Sequence, residues 1–198
     1  MSTDRVELEV WNLALDHVME KPLGTVSDAT AYGRWMTRNV PHIRDVLTRA
    51  YLWNFAMQLN TLTEDATAPA FRWAARYALP TDCLRVVPPT YLGGRYNNPL
   101  EYEVAQGFIY TDNRTTLYLR TIQRQVTFED TWDSIAIDAF TLMLAYRMTH
   151  RFTGLATHRD RLEKEFEKVV RLAAEMDAFE STPEPVEQHS VLDVRDID

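Results

Sequence analysis

One cysteine, five histidines and twenty-nine acidic residues are the groups in this 198-residue chain with the most capacity for chemistry. The cysteine lies in "RWAARYALPTDCLRV", residues 72–86, among Arg72, Arg76 and Arg85. A thiolate held in a basic pocket would be a nucleophile or a metal ligand. Asp82 directly precedes Cys83, however, and its charge disfavours the thiolate. No histidine is close in sequence to act as a base. Trp73, Tyr77 and Leu79 alternate, Pro80 and Asp82 interrupt, and Leu84 and Val86 resume. That pattern predicts strand, tight turn, strand, with the cysteine as packing.

The other reactive types are no better organised. His17, His42, His150, His158 and His189 form no HExxH motif and no i, i+4 pair. A structural zinc site would need thiolates or further histidines that the chain lacks. Helix surfaces and helix C-termini are the natural places for them, and His150 fits a C-terminus. Glu163, Glu165 and Glu167 fall on the polar face of a patterned helix. A glycosidase-like carboxylate pair is not excluded by sequence, but no residue stands out for it. There is no Gly-rich phosphate loop, GxSxG or EF-hand spacing. No catalytic residue, metal or cofactor is expected. Aromatics in "FIYTD" and "LYLRTI" could stack on bases, but 21 basic against 29 acidic residues give net −8, the wrong sign for neutralising phosphates.

Helices bracket these segments. Residues 4–20 place Leu8, Trp11, Leu15, Val18 and Met19 on one face, with Asp4 and Glu7 spaced as a capping box. A second helix is expected over about 28–51, starting after Asp28, with Pro41 kinking it or opening a fresh helix. Residues 53–125 read as a β insertion. Its clearest hairpin signal is "EYEVAQGFIY" and "TTLYLRTI" around "TDNR", with the turn at Asp112–Asn113. A third helix, about 130–152 with Asp133 as cap, is apolar on nearly every face and should be the most buried. Gly154 ends it. A fourth, about 157–179, starts at Thr157 with Asp160. It buries Leu162, Phe166, Val169, Val170, Ala173 and Met176, with Asp160–Lys164 and Glu167–Arg171 outside.

From Ser181 the pattern collapses. The last eighteen residues hold two prolines and five acids against Arg195, a net charge of −4. Val191, Leu192, Val194 and Ile197 are apolar within it, which suggests a docking segment. No apolar run approaches the ~20 residues that span a bilayer. "MSTDRVELEV" lacks the basic start and apolar stretch of a signal peptide, so the expectation is a soluble protein made in the cytosol, without a membrane partner. The expected fold is α+β and mainly helical: a single domain over 1–180 built as a four-helix bundle with an inserted antiparallel β subdomain, followed by an extended C-terminal tail, 181–198.

In this order the segments become familiar. "WNLALDHVMEKPLGTVSD", "IRDVLTRAYLWNFAMQLNTL", "YALPTDCLRV", "FIYTDNRTTLYLRTI" and "FEDTWDSIAIDAFTLMLAYRMT" together resemble the head-to-tail adaptor (connector) proteins of tailed bacteriophages. These include the tail tubular protein A of short-tailed phages, and gene transfer agents carry the same kind of adaptor. The resemblance covers residues 8 to about 175. It implies a non-enzymatic homo-oligomeric ring, commonly of about twelve copies, at the head–tail interface of a virion assembled in the bacterial cytoplasm. The portal protein would lie above and a tail or stopper protein below. DNA would pass through the channel without sequence-specific binding, as an acidic protein allows. The tail would reach the portal through Val191, Leu192, Val194 and Ile197. Some members of the family are credited with peptidoglycan hydrolysis, so a tail-associated hydrolase is the alternative expectation.

Overall fold

The fold was established from a computed structural model, which describes residues 3–87, 101–114, 116–128 and 132–180. It is α+β: four helices and two small antiparallel sheets. The order is α1 (Thr3–His17), α2 (Ala31–Ala50), six strands, then α3 (Ser134–Met148) and α4 (Ala156–Glu180). The strands are β1 (Met57–Leu62), β2 (Ala75–Ala78), β3 (Cys83–Val86), β4 (Tyr102–Ala105), β5 (Phe108–Thr111) and β6 (Leu117–Gln123). Residues 181–198, with the expected docking positions Val191, Leu192, Val194 and Ile197, lie outside the described residues.

As its composition predicts, α3 is the central helix. Ala136, Ala139, Phe140, Leu142, Leu144, Ala145 and Met148 are all buried, and α1, α2 and α4 lie against it. Asp133 caps it, accepting from the Ile135 N–H at 3.3 Å. The helix leaves through one wide π turn, Thr149–Thr153, and stops at Gly154, whose φ of 64° is open to glycine without strain.

Several helix ends differ from expectation. The Glu7 carboxylate does not close a capping box; it turns inward to Arg44 and Trp11. The cap of α2 is Thr30, not Asp28: the Thr30 hydroxyl accepts from Gly33 N, while Asp28 accepts from Gly24 N at 2.8 Å. A Cβ on Gly33 would strike the Asp28 carbonyl, so glycine is required there. α2 runs through Pro41 without ending, with Pro41 on its exposed side. Met19 lies past the end of α1 at φ 57° and is exposed, as is Met176 near the end of α4. The ion pairs along α4 among the described residues are Arg161–Glu165 and Arg159–Asp160.

The β region corrects the expectation most. It is two three-stranded sheets, ordered β1-β6-β3 and β2-β5-β4. Both strands of the 72–86 stretch form, but β2 and β3 join different sheets. The hairpin is β4–β5, not 108–111 with 117–123. Its turn is Gln106–Gly107, with φ of 52° and 80°, the doubly left-handed geometry that matches strand twist. Asp112 and Asn113 instead carry the chain from one sheet to the other: Asp112 accepts from Ala74 N, and the Asn113 carbonyl accepts from the Tyr77 hydroxyl at 2.8 Å.

Two apolar clusters result. The smaller joins the sheets through Ala75, Tyr77, Ile109, Leu117 and Leu119. The larger fills the helical layer and reaches the first sheet at Ile122 and Val87. Its aromatic centre sets Phe55 tilted against Trp132 (4.5 Å) and Phe128 edge-to-face with both Trp132 and Phe140 (4.7 Å each). Urea denaturation should separate the two levels of constraint. Phe140→Ala, at the fully buried centre, is expected to cost about 3–5 kcal/mol. Gly107→Ala, which strains the turn in open space, should cost about 1 kcal/mol.

Candidate functional site

The junction between α2 and the β1-β6-β3 sheet is built from arginines. Arg44 is 2% exposed, between Ile43 and Leu47 on the buried face of α2. Its guanidinium pairs with the Glu7 carboxylate of α1, donates to the Val126 carbonyl and lies 4.2 Å from the Phe128 ring centroid. Trp11 Nε1 also donates to Glu7, at 3.3 Å. Burial pushes the Glu7 carboxyl above its ordinary value, against the pull of Arg44, Trp11 and the Phe128 backbone. The same burial lowers Arg44, with Glu7 opposing. The sequence reading missed this pair. Its available signal was a cation at i+4 from Val40 and i−3 from Leu47, inside the apolar stripe.

Three more arginines extend the seam. Arg49 donates to the Leu84 carbonyl. Arg85 reaches back from β3 to the carbonyls of Arg49 and Ala50 at 3.4 and 3.3 Å, placing a cation at the C-terminus of α2. Arg124 pairs with Asp45 at 3.0 Å. The arginines of the 72–86 stretch therefore have internal partners. Arg76 pairs with Asp65 at 2.8 Å and lies over Phe108; Arg72, at φ 57°, lies over Trp73.

Cys83 opens β3, half-buried, opposite Gln123. Burial pushes its thiol above the ordinary 9.0, outweighing the Arg85 backbone N–H and the charge of Arg49. His158 Nε2 lies 2.9 Å from the His17 carbonyl, so this histidine closes the end of α1. Among the described residues no three His, Cys, Asp or Glu side chains converge on one point. No helix there is long and apolar enough to cross a membrane.

The β region carries exposed apolar side chains. Leu59 on β1 is 80% exposed and Tyr118 on β6 56%; they share a face, with Leu59 opposite Arg120 and Thr61 opposite Tyr118. Phe71, 74% exposed, projects from the loop before β2. Beside it a shallow depression of about 490 Å³ is lined by Arg72, Trp73, Glu101, Tyr102 and Glu103, with Trp73 Nε1 donating to Glu103 at 3.0 Å. Sequence alternation could not single these residues out, because an outward aromatic and an inward one read alike.

Comparison with models of protein families finds no match, and none is found among curated proteins.

A raised thiol pKa has a direct consequence. Cys83 should be alkylated by iodoacetamide more slowly than a free thiol at neutral pH, with the rate still climbing past pH 9 before it levels off. Rapid labelling at pH 7 would mean an activated cysteine.

Proposed function

We propose that the chain is a structural head-to-tail adaptor of a phage-like particle. In this reading about twelve copies form a ring, with their helices as four-helix bundles side by side around a DNA channel. The portal protein sits above, engaged by Val191, Leu192, Val194 and Ile197, and a tail or stopper protein sits below. The ordered resemblance of five segments motivates the reading. The structural observation that supports it best is the arginine seam. It ties the β1-β6-β3 sheet, which carries exposed Leu59 and Tyr118, to the helical layer, as a piece that transmits force between neighbours requires. Isolated exposed apolar residues are ordinary, but two on one sheet face suit protein contacts.

Electron microscopy of the protein mixed with the portal encoded beside it tests this directly. A second ring stacked on the portal is the expected result, and it gives the copy number. A bare portal beside free protein would overturn the adaptor reading. Removal of residues 181–198 is expected to leave the far-ultraviolet circular dichroism unchanged while abolishing portal binding; normal binding by the truncated chain would place the docking surface elsewhere.

A further inference from the structure

The charge of −8 is not spread evenly over the chain. The outward side of α2 is basic. Arg34, Arg38, Pro41, His42 and Arg49 are exposed along it, with Asp45 half-buried among them. At 3.6 residues per turn these positions fall within a band of about 100°. They lie opposite the buried Met36, Val40, Ile43 and Leu47. From Arg34 to Arg49 the stripe runs about 22 Å.

Little neutralises it. Asp45 is the acid of this stripe, and Arg124 pairs with it at 3.0 Å. Among the described residues no carboxylate pairs with Arg34, Arg38 or Arg49. Arg34 and Arg49 each donate to a carbonyl, of Ala29 and Leu84, which leaves their charge uncancelled. Four arginines against one carboxylate give this face +3 in a chain of net −8. The π turn brings a further cation beside the same helix. Phe152 packs on Tyr32 at 4.3 Å, and Arg151 lies 6.0 Å from the Phe152 ring. A solvated helix face ordinarily mixes signs, as α1 and α4 do with Arg5–Glu9 and Arg161–Glu165.

The chemistry of the stripe narrows its partner. Protein partners are held by apolar and aromatic anchors at the centre of the contact. α2 exposes no large apolar side chain. Unpaired nucleic-acid strands are held by stacking on exposed aromatic rings, and this stripe has none. What it offers is guanidinium groups along one helix, which suit the closely spaced phosphates of a duplex. The net charge opposes phosphate binding by the chain as a whole, but it does not describe this face.

We infer that the outer face of α2 is a contact surface for the phosphate backbone of duplex DNA, with Arg34, Arg38 and Arg49 as the phosphate contacts. Such contacts carry no base information, so binding is independent of sequence. The acidic remainder of the surface weakens it, and physiological salt loosens it further. This surface is a property of the chain alone and needs neither portal nor ring. If the adaptor reading also holds, α2 faces the channel. A chain that fails to stack on a portal can still bind duplex through α2, so the two readings fail separately.

Fluorescence anisotropy of a labelled duplex oligonucleotide, titrated with the full-length protein, is the test. Binding is expected at about 20 mM salt and should weaken steeply toward about 150 mM. Three phosphate contacts give a slope of about −2.7 in log K against log salt concentration. Arg34→Glu combined with Arg38→Glu should weaken low-salt binding about tenfold or more and flatten the slope by about 2. Arg161→Gln combined with Lys164→Gln, on the mixed face of α4, should change affinity by less than about twofold. Circular dichroism verifies that both variants are folded. No binding at low salt overturns the inference. So does binding that the α2 pair leaves unchanged, or that the α4 pair weakens equally. A single strand that binds more tightly than the duplex, or a glutamate-rich peptide of equal charge that displaces it, overturns the assignment to duplex DNA.

Discussion

A guanidinium is costly to take out of water unless its charge is compensated. Arg44 is almost fully enclosed, and the effective desolvation penalty for such an ion is several kcal/mol. Glu7 meets the charge, the Val126 carbonyl takes a donor, and the Phe128 ring lies against the cation. These partners come from α1 and from the connection between β6 and α3. One side chain on α2 therefore ties that helix to two other parts of the fold. Moving any of them leaves a buried charge uncompensated.

Fixing that junction sets the position of the sheet. Val126 follows β6 closely, so the first sheet is held against α2, and Arg49, Arg85 and Arg124 continue the seam along the same helix. The aromatic centre at Phe55, Phe128, Trp132 and Phe140 then fills the space between sheet and helices. The second sheet hangs from the first through the small cluster around Tyr77 and Ile109. Leu59 and Tyr118 are thereby presented outward from a braced sheet.

The sequence shows some of this plainly. α3 needs no partner information to be recognised, because a helix apolar on all sides can only be central. Asp133 and Gly154 are local signals, and both act locally. The β pairing was not legible for the opposite reason. β5 and β6 are consecutive and each alternates, yet two left-handed residues at Gln106–Gly107 pair β5 with β4 instead. Glu7 was misread because its spacing from Asp4 satisfies a capping box. Its true partner lies thirty-seven residues away, beyond the reach of any local pattern. Met19 and Met176 fit their apolar stripes, but each sits near a helix end where little packs against it.

The dependence of the fold on the Glu7–Arg44 pair is measured most directly by a double-mutant cycle. Urea denaturation of the wild type, Glu7→Gln, Arg44→Met and the double variant gives the coupling free energy without counting the single losses twice. If the pair holds the helices and sheet in register, each single variant is costly, the double variant recovers much of the loss, and the coupling is about 2 kcal/mol or more. Additive effects, with coupling below about 0.5 kcal/mol, would contradict the claim and leave the aromatic cluster as the feature that positions the sheet.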